Sequence, residues 1–146
     1  MVCPFCSAED TAVVDSRKNV DGDAVRRRRE CSACNTRFTT YEKSEIDLIV
    51  KKRNGNLEEF QYEKLFSGVE NAFGGQELSD KKLKNLVETI YLELKKHGKK
   101  IESNIIGETV LSHLKDINEV AYLRFASVYK EFSAVSDFEK EAAELN

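Results

Sequence analysis

The chain has 146 residues, 40% hydrophobic and 34% charged, with one proline, Pro4, and no low-complexity tract, enough to bury a core in one domain or two small ones. No run approaches the roughly 20 apolar residues of a membrane span, and Met1 leads into Cys3 without a charged leader and apolar segment, so a soluble cytoplasmic protein with no membrane partner is expected. The net charge of -3 excludes a uniformly basic polyanion binder, but residues 26 to 43 carry six basic against two acidic side chains and residues 46 to 146 carry 15 against 18, and the local field decides what a surface attracts.

The first elements in chain order are short strands over residues 11–16, 24–30 and 36–41, the first two joined through the turn formers Asn19-Val20-Asp21-Gly22-Asp23. They are bracketed by Cys3-Pro4-Phe5-Cys6 and Cys31-Ser32-Ala33-Cys34. Two thiolates two residues apart can be presented to one ion by a single tight turn, and the 24 residues between the pairs fit two strands and a turn. This pattern predicts a zinc ribbon with Cys3, Cys6, Cys31 and Cys34 as ligands. Free thiols or redox pairs are the alternative, but every cysteine is used and no alternation of strand and helix surrounds them. Four thiolates close the coordination sphere, so the Zn2+ is structural rather than catalytic.

Between the cysteine pairs lies Arg26-Arg27-Arg28-Arg29. In a strand these side chains leave alternate faces, and either pair can meet a nucleic acid. Arg17 and Arg37 can lie near the same surface, and Thr39, Thr40 and Tyr41 add hydroxyls able to bond phosphates. The bland alternative is a solvated charge run balanced by Asp15, Asp21 and Asp23. Arginines this dense repel one another unless a polyanion relieves them, which favours DNA.

Patterning changes between Lys43 and Asp47, and a boundary is placed there. Ile46 to Arg53 reads as a strand, Asn54-Gly55 as a tight hairpin turn and Leu57 to Gln61 as the returning strand. Helices follow: Tyr62 to Phe73, broken by Gly74-Gly75; one capped by Ser79 and ending at Gly98, with Leu83, Leu86, Val87, Ile90, Tyr91 and Leu94 on one stripe; a third from Ser103 or Asn104; a fourth from Asn118 or Glu119 to Phe132; and a short one over Ser136 to Leu145. The fold class is α+β, a small all-β ribbon followed by a β-hairpin packed on a helical bundle.

Lys51, Lys52 and Arg53 end a strand at the hairpin turn, and Lys64 on the next helix is close enough to join them. Cations beside backbone amides and a helix N-terminus suit a polyphosphate. No G-x-x-x-x-G-K-[ST] loop and no Ser/His/Asp grouping occurs, and His97 and His113 read as surface or capping residues. These are binding residues without a reaction centre, so no enzyme is expected.

Cys3-Pro4-Phe5-Cys6, Asp15-Ser16-Arg17, the run from Arg26 to Cys31, Cys34 and Arg37-Phe38-Thr39-Thr40-Tyr41-Glu42 resemble the zinc ribbon of the NrdR family, bacterial repressors of ribonucleotide reductase genes. The second half resembles that family's ATP-cone through Val50 to Gly55, Glu59-Phe60, Glu63-Lys64-Leu65 and Val120 to Tyr129. The resemblance implies a ribbon over 1–45, a cone over 46–136 and a helical tail over 137–146. It implies ATP and dATP as effectors, with Mg2+, a homo-oligomer that changes with the nucleotide, and double-stranded reductase operators as the DNA partner in a nucleoid-associated protein. Carried onto this chain, Arg17, Arg26, Arg27, Arg28, Arg29, Arg37 and Thr40 would meet DNA. Lys52, Arg53 and Lys64 would hold phosphates beside the Asn54 turn, and Val50, Glu59, Phe60 and Tyr129 would surround base or sugar. A ribbon that binds nucleic acid or acts as a scaffold without nucleotide control is the alternative function.

Overall fold

The computed structural model describes residues 1–145; the last residue of the expected 137–146 tail lies outside them. The chain forms two compact units, Met1–Ile46 and a second from Asp47 on.

The first unit is an antiparallel sheet of β1 (Thr11–Lys18), β2 (Ala24–Cys31) and β3 (Arg37–Lys43), with β2 in the middle. The turn between β1 and β2 closes with the Asn19 N–H on the Ala24 carbonyl at 2.9 Å and the Ala24 N–H on Asn19 Oδ1 at 3.1 Å. Gly22 takes a φ of +75° there, which a side chain would resist. A bulge between Val13 and Asp15 shifts the register of β1, so the pairing of its second half is set by the bulge and not by simple counting. Only Cys3, Ala24 and Cys31 of this unit's hydrophobic residues are buried. Apolar burial alone therefore stabilises the sheet very little.

The second unit holds β4 (Ile49–Lys51), β5 (Leu57–Glu59), α1 (Tyr62–Ala72), α2 (Asp80–Lys95), β6 (Lys100–Glu102), α3 (Ser103–Ile117), α4 (Glu119–Tyr129) and α5 (Val135–Ala143). The strands β4 and β5 are shorter than the expected 46–53 and 57–61, but the Phe60 N–H on the Leu48 carbonyl and the Lys52 N–H on the Asn56 carbonyl, both 2.8 Å, continue the ladder past each end. The sheet is not a lone hairpin: β6 joins it, parallel to β4, with order β5-β4-β6. Three residues with one apolar side chain, Ile101, carry no readable period. Pairing supplies the strand's reason to exist, since β4 would otherwise leave its inner edge without partners.

The helices bury the stripes that their spacing marks. Val69, Val87, Ile90, Leu94, Val110 and Leu114 are fully enclosed, and Ala121 and Ala126 let α4 approach closely. Ser79 caps α2 by accepting from the Lys82 N–H at 3.3 Å, and Asn118 caps α4 by accepting from the Ala121 N–H at 2.9 Å. α4 stops at Tyr129, short of the expected Phe132, where Glu131 turns left-handed at φ 56°. α5 is fastened back by Glu141, buried, which accepts from the Tyr122 hydroxyl at 2.5 Å and Lys130 Nζ at 2.6 and 2.8 Å. Burial first, and then the Glu141 carboxylate, push the Tyr122 phenol up to about 12. No helix is long and apolar enough to cross a membrane among the described residues.

Candidate functional site

Both cysteine turns are built alike. Cys3 donates its N–H to the Ala8 carbonyl and accepts from the Ser7 N–H; Cys31 donates to Thr36 and accepts from Asn35, all between 2.9 and 3.1 Å. The fourth residue after each first cysteine, Ser7 at φ 60° and Asn35 at φ 55°, turns left-handed, which bends the chain so that both sulfurs of a pair point inward. All four sulfurs lie within 4.8 Å of one another, with Cys3–Cys34 at 3.7 Å and Cys6–Cys31 at 3.6 Å. A tetrahedron with zinc–sulfur bonds of about 2.3 Å has edges of about 3.8 Å, so the donors fit Zn2+ in number, type and spacing. Thr36 hydrogen bonds, side chain then backbone, hold the Cys34 thiol down to about 6. The Ala8 N–H favours the Cys6 thiolate, but the neighbouring Cys31 and Cys34 sulfurs oppose it and push that thiol up to about 12. Sulfurs this close resist ionising together until a cation compensates them.

The register of β2 sorts the arginine run. Arg26 lies opposite Arg17 and Tyr41, Arg28 opposite Asp15 and Thr39, and Glu30 opposite Arg37. Directly opposed side chains share a face, so one face carries Arg17, Arg26, Arg28 and Arg37 against Asp15 and Glu30. Arg17 pairs with Asp15 at 3.0 Å and Arg37 with Glu30 at 2.5 Å. The other face carries Arg27 and Arg29 with Ser16 and Thr40, and these are tied into the sheet. Arg27 pairs with Glu42 at 2.9 Å, and Arg29 Nε donates to Thr40 Oγ1 at 3.2 Å. Arg26 makes no side-chain hydrogen bond or ion pair among the described residues.

In the second unit a cavity of about 280 Å³ opens between the hairpin, α1, α3 and α4, and its lining includes Val50, Lys52, Glu59, Phe60, Lys64 and Tyr129. Phe60 is held there by stacking on Tyr91, centroids 5.5 Å apart. A second cavity beside it is lined by Lys51, Lys52, Arg53, Glu102, Ser103 and Asn104, so Lys52 and Ser103 border both. Asn54 lines neither; its Oδ1 accepts from the Asn56 N–H at 2.9 Å and shapes the turn. Tyr129 lies against Gly107 of α3. Its hydroxyl donates to the Asn104 carbonyl at 3.1 Å, and Arg53 sits 5.3 Å over its ring while bonding its carbonyl at 3.2 Å.

Two features of this pocket escape sequence reasoning that names residues by charge alone. Glu58, not Glu59, stands between the cations, 2.8 Å from Lys52 Nζ and 3.9 Å from Lys64 Nζ; the Lys52 hydrogen bond holds its carboxyl below the usual carboxylate range. Counting back from the Asn54-Gly55 turn would have placed Glu58 on the Val50 face. The wall formed by the start of α3, with Ser103, Ile106 and Gly107, has no signal, because nothing in the sequence brings that helix to the hairpin once β6 goes unrecognised. Asn104 Oδ1 is a buried oxygen without a hydrogen-bond partner among the described residues.

Residues 1–42 match the family described as transcriptional repressor NrdR-like, N-terminal domain, and residues 48–135 match the ATP cone domain. A protein of Corynebacterium jeikeium named transcriptional repressor NrdR is 49% identical, the match covering 99% of this chain and 88% of that one. Proteins of the same name from Corynebacterium diphtheriae and Thermobifida fusca are 48% and 46% identical, covering 97% and 99% of this chain and 93% and 94% of theirs. These are names of regulators, not of enzymes. With both halves matched in order and relatives near half identical from end to end, the chain belongs to the NrdR family of transcriptional repressors.

Proposed function

We propose that this protein is a nucleotide-responsive transcriptional repressor. As a homo-oligomer it binds operator boxes in double-stranded DNA upstream of ribonucleotide reductase genes, and ATP or dATP, carried with Mg2+, controls its oligomeric state and hence its DNA affinity. Residues 1–45 hold one Zn2+ and meet DNA, residues 46–136 bind the nucleotide, and 137–146 form a helical tail; the setting is the cytoplasm of a bacterium, at the nucleoid. The observation that carries the reading is the convergence of Lys52 and Lys64 at the mouth of an apolar cavity, in a chain whose other unit gathers four guanidiniums on one sheet face.

Lys52, Arg53 and Lys64 take the phosphates, and Val50, Phe60, Glu59 and Tyr129 enclose base and sugar, with Asn54 keeping the turn in shape. The unpaired Asn104 Oδ1 supports a ligand on that side, since a buried acceptor without a donor costs about 1–3 kcal/mol and a metal-bound water or a hydroxyl would satisfy it. A nucleotide shifts the oligomer only by its differential affinity for the two states.

On the ribbon, the face of Arg17, Arg26, Arg28 and Arg37 takes DNA, and Arg27, Arg29 and Thr40 chiefly brace the sheet behind it. Anisotropy titrations of an operator duplex and a scrambled duplex over a range of salt test this. Changing Arg26 and Arg28 together to Ala is expected to flatten the slope of log K against log salt by about 2, at about 0.9 per phosphate contact. Arg27→Ala should leave the slope nearly unchanged. The opposite ranking would move the interface to the other face, and equal binding to both duplexes by the unaltered protein would remove the operator from the account.

A further inference from the structure

The tail helix α5 is fastened to the end of α4 by a buried charge. Glu141 is 6% exposed, too enclosed for a carboxylate without partners, since burying an unpaired charge is costly. Both of its partners lie on or just after α4. Oε1 accepts from the Tyr122 hydroxyl at 2.5 Å, and Lys130 Nζ donates to Oε1 at 2.6 Å and to Oε2 at 2.8 Å. The other attachments are an edge-on contact of Phe138 with Phe132, centroids 4.9 Å apart, and an exposed bond from Lys115 Nζ to the Glu144 carbonyl at 3.2 Å. The enclosed, charge-assisted bonds of Glu141 are therefore the strongest hold on α5.

Lys130 directly follows Tyr129, the last residue of α4. The peptide between them is gripped from both sides of the unit. Its N–H closes α4 on the Ala126 carbonyl at 2.8 Å, while its carbonyl, that of Tyr129, accepts from Arg53 Nη2 of the β4–β5 turn at 3.2 Å. Beyond it the chain turns left-handed at Glu131, φ 56°, so the side chain of Lys130 is what ties this corner to α5. We propose that Glu141 is a positioning residue for the nucleotide pocket: through Lys130 it fixes the Tyr129–Lys130 peptide, so that Tyr129 keeps its place in the cavity wall while α5 is docked and loses it when α5 lets go.

The inference rests on the reading that the cavity walled by Tyr129 takes a nucleotide. Linkage then runs both ways: a docked α5 strengthens nucleotide binding, and bound nucleotide strengthens the docking of α5. The tail, which lines no part of that cavity, becomes a place from which its affinity is altered.

Glu141→Gln tests this, because glutamine fills the same volume but brings no charge to Lys130 and turns an amide N–H toward one of two donors. Amide exchange of the zinc-loaded full chain should show protection lost over α5 and kept in α1, α2 and α3. Calorimetric titration of the same protein should give MgATP binding roughly three- to tenfold weaker than in the unaltered chain. In a Tyr129→Ala background the same substitution should still free α5 but weaken ATP no further, which a general loosening of the unit would not produce. Saturating MgATP should raise the protection of α5 in the unaltered protein and leave it unchanged in Tyr129→Ala. An E141Q protein that frees α5 with ATP affinity unaltered, or whose loss adds in full to that of Tyr129→Ala, would overturn the proposal. So would an α5 that stays protected in E141Q, since the charge would then not be what holds the tail. If the unaltered protein binds no ATP, the nucleotide reading itself falls and this inference with it, whatever E141Q does to α5.

Discussion

Stripping the metal with a strong chelator is expected to unfold the first unit while the second keeps its structure. The reason is what holds each unit together. Of the three buried hydrophobic residues in Met1–Ile46, two, Cys3 and Cys31, are sulfur donors themselves, so removing the ion removes the centre of packing as well as the bonds. Exposed ion pairs such as Arg17–Asp15 and Arg27–Glu42 contribute little by themselves. Metal binding supplies on the order of 10 kcal/mol in such modules, more than any other term available to a three-stranded sheet of this size. The second unit encloses Val69, Val87, Ile90, Leu94, Val110 and Leu114 and has no such dependence. Amide hydrogen exchange reads both at once: protection should vanish across β1, β2 and β3 and persist in α1, α2 and α3. Cys31→Ser should reproduce the loss without chelator. A ribbon that stays protected in either experiment would mean that the sheet carries its own stability.

Gly107→Ala should disable the nucleotide pocket from the far side of the cavity. A Cβ at this position would overlap three carbons of the Tyr129 ring, and Gly107 itself is fixed within α3. The helix gains about 1 kcal/mol from alanine's propensity. Against that stand about 1–3 kcal/mol for forcing a group into a packed site and about 1 kcal/mol for the lost bond from the Tyr129 hydroxyl to Asn104. The net is a destabilisation of about 1–3 kcal/mol. The effect on binding is larger, because Tyr129 can yield only by leaving the wall it shares with Phe125 and its ring contact with Arg53; ATP affinity should fall by roughly tenfold or more, as expected when a pocket contact worth over 1.4 kcal/mol is lost. Combining Gly107→Ala with Tyr129→Ala separates the causes. If the ring is what the methyl meets, the double variant melts no lower than Tyr129→Ala alone. Additive losses would place the strain elsewhere.

Much of the architecture is legible without coordinates wherever a period is long or a spacing is chemically demanding. The stripe from Leu83 to Leu94 and the caps Ser79 and Asn118 mark α2 and α4 directly, and two C-x-x-C turns announce a common ion. What is not legible depends on partners remote in the chain. β6 exists because β4 has an unpaired edge, and its three residues carry no signal of their own. Strand alternation divides the arginine run between faces, but which neighbours join Arg26 and Arg28 follows from a bulge at Val13/Asp15 and from the register with Tyr41 and Thr39, neither of which is written in the run itself. Tyr129 reaches α3 only because residue 107 has no side chain, a contact across 22 positions that composition cannot announce. Glu58 was within reach of sequence reasoning: the Asn54-Gly55 turn fixes the pairing, and the period of two then sets Glu58 on the face of Val50 and Lys52.

In the proposed mechanism, nucleotide bound in one unit governs DNA binding by the other. The most direct measurement is an anisotropy titration of a labelled reductase promoter with zinc-loaded protein under three conditions: dATP, ATP alone and no nucleotide. Binding should be tightest with dATP and weakest with ATP alone, separated by a coupling of about 1–3 kcal/mol, or roughly 5- to 150-fold in affinity. Three coincident curves would contradict it, leaving a zinc ribbon that binds nucleic acid without nucleotide control.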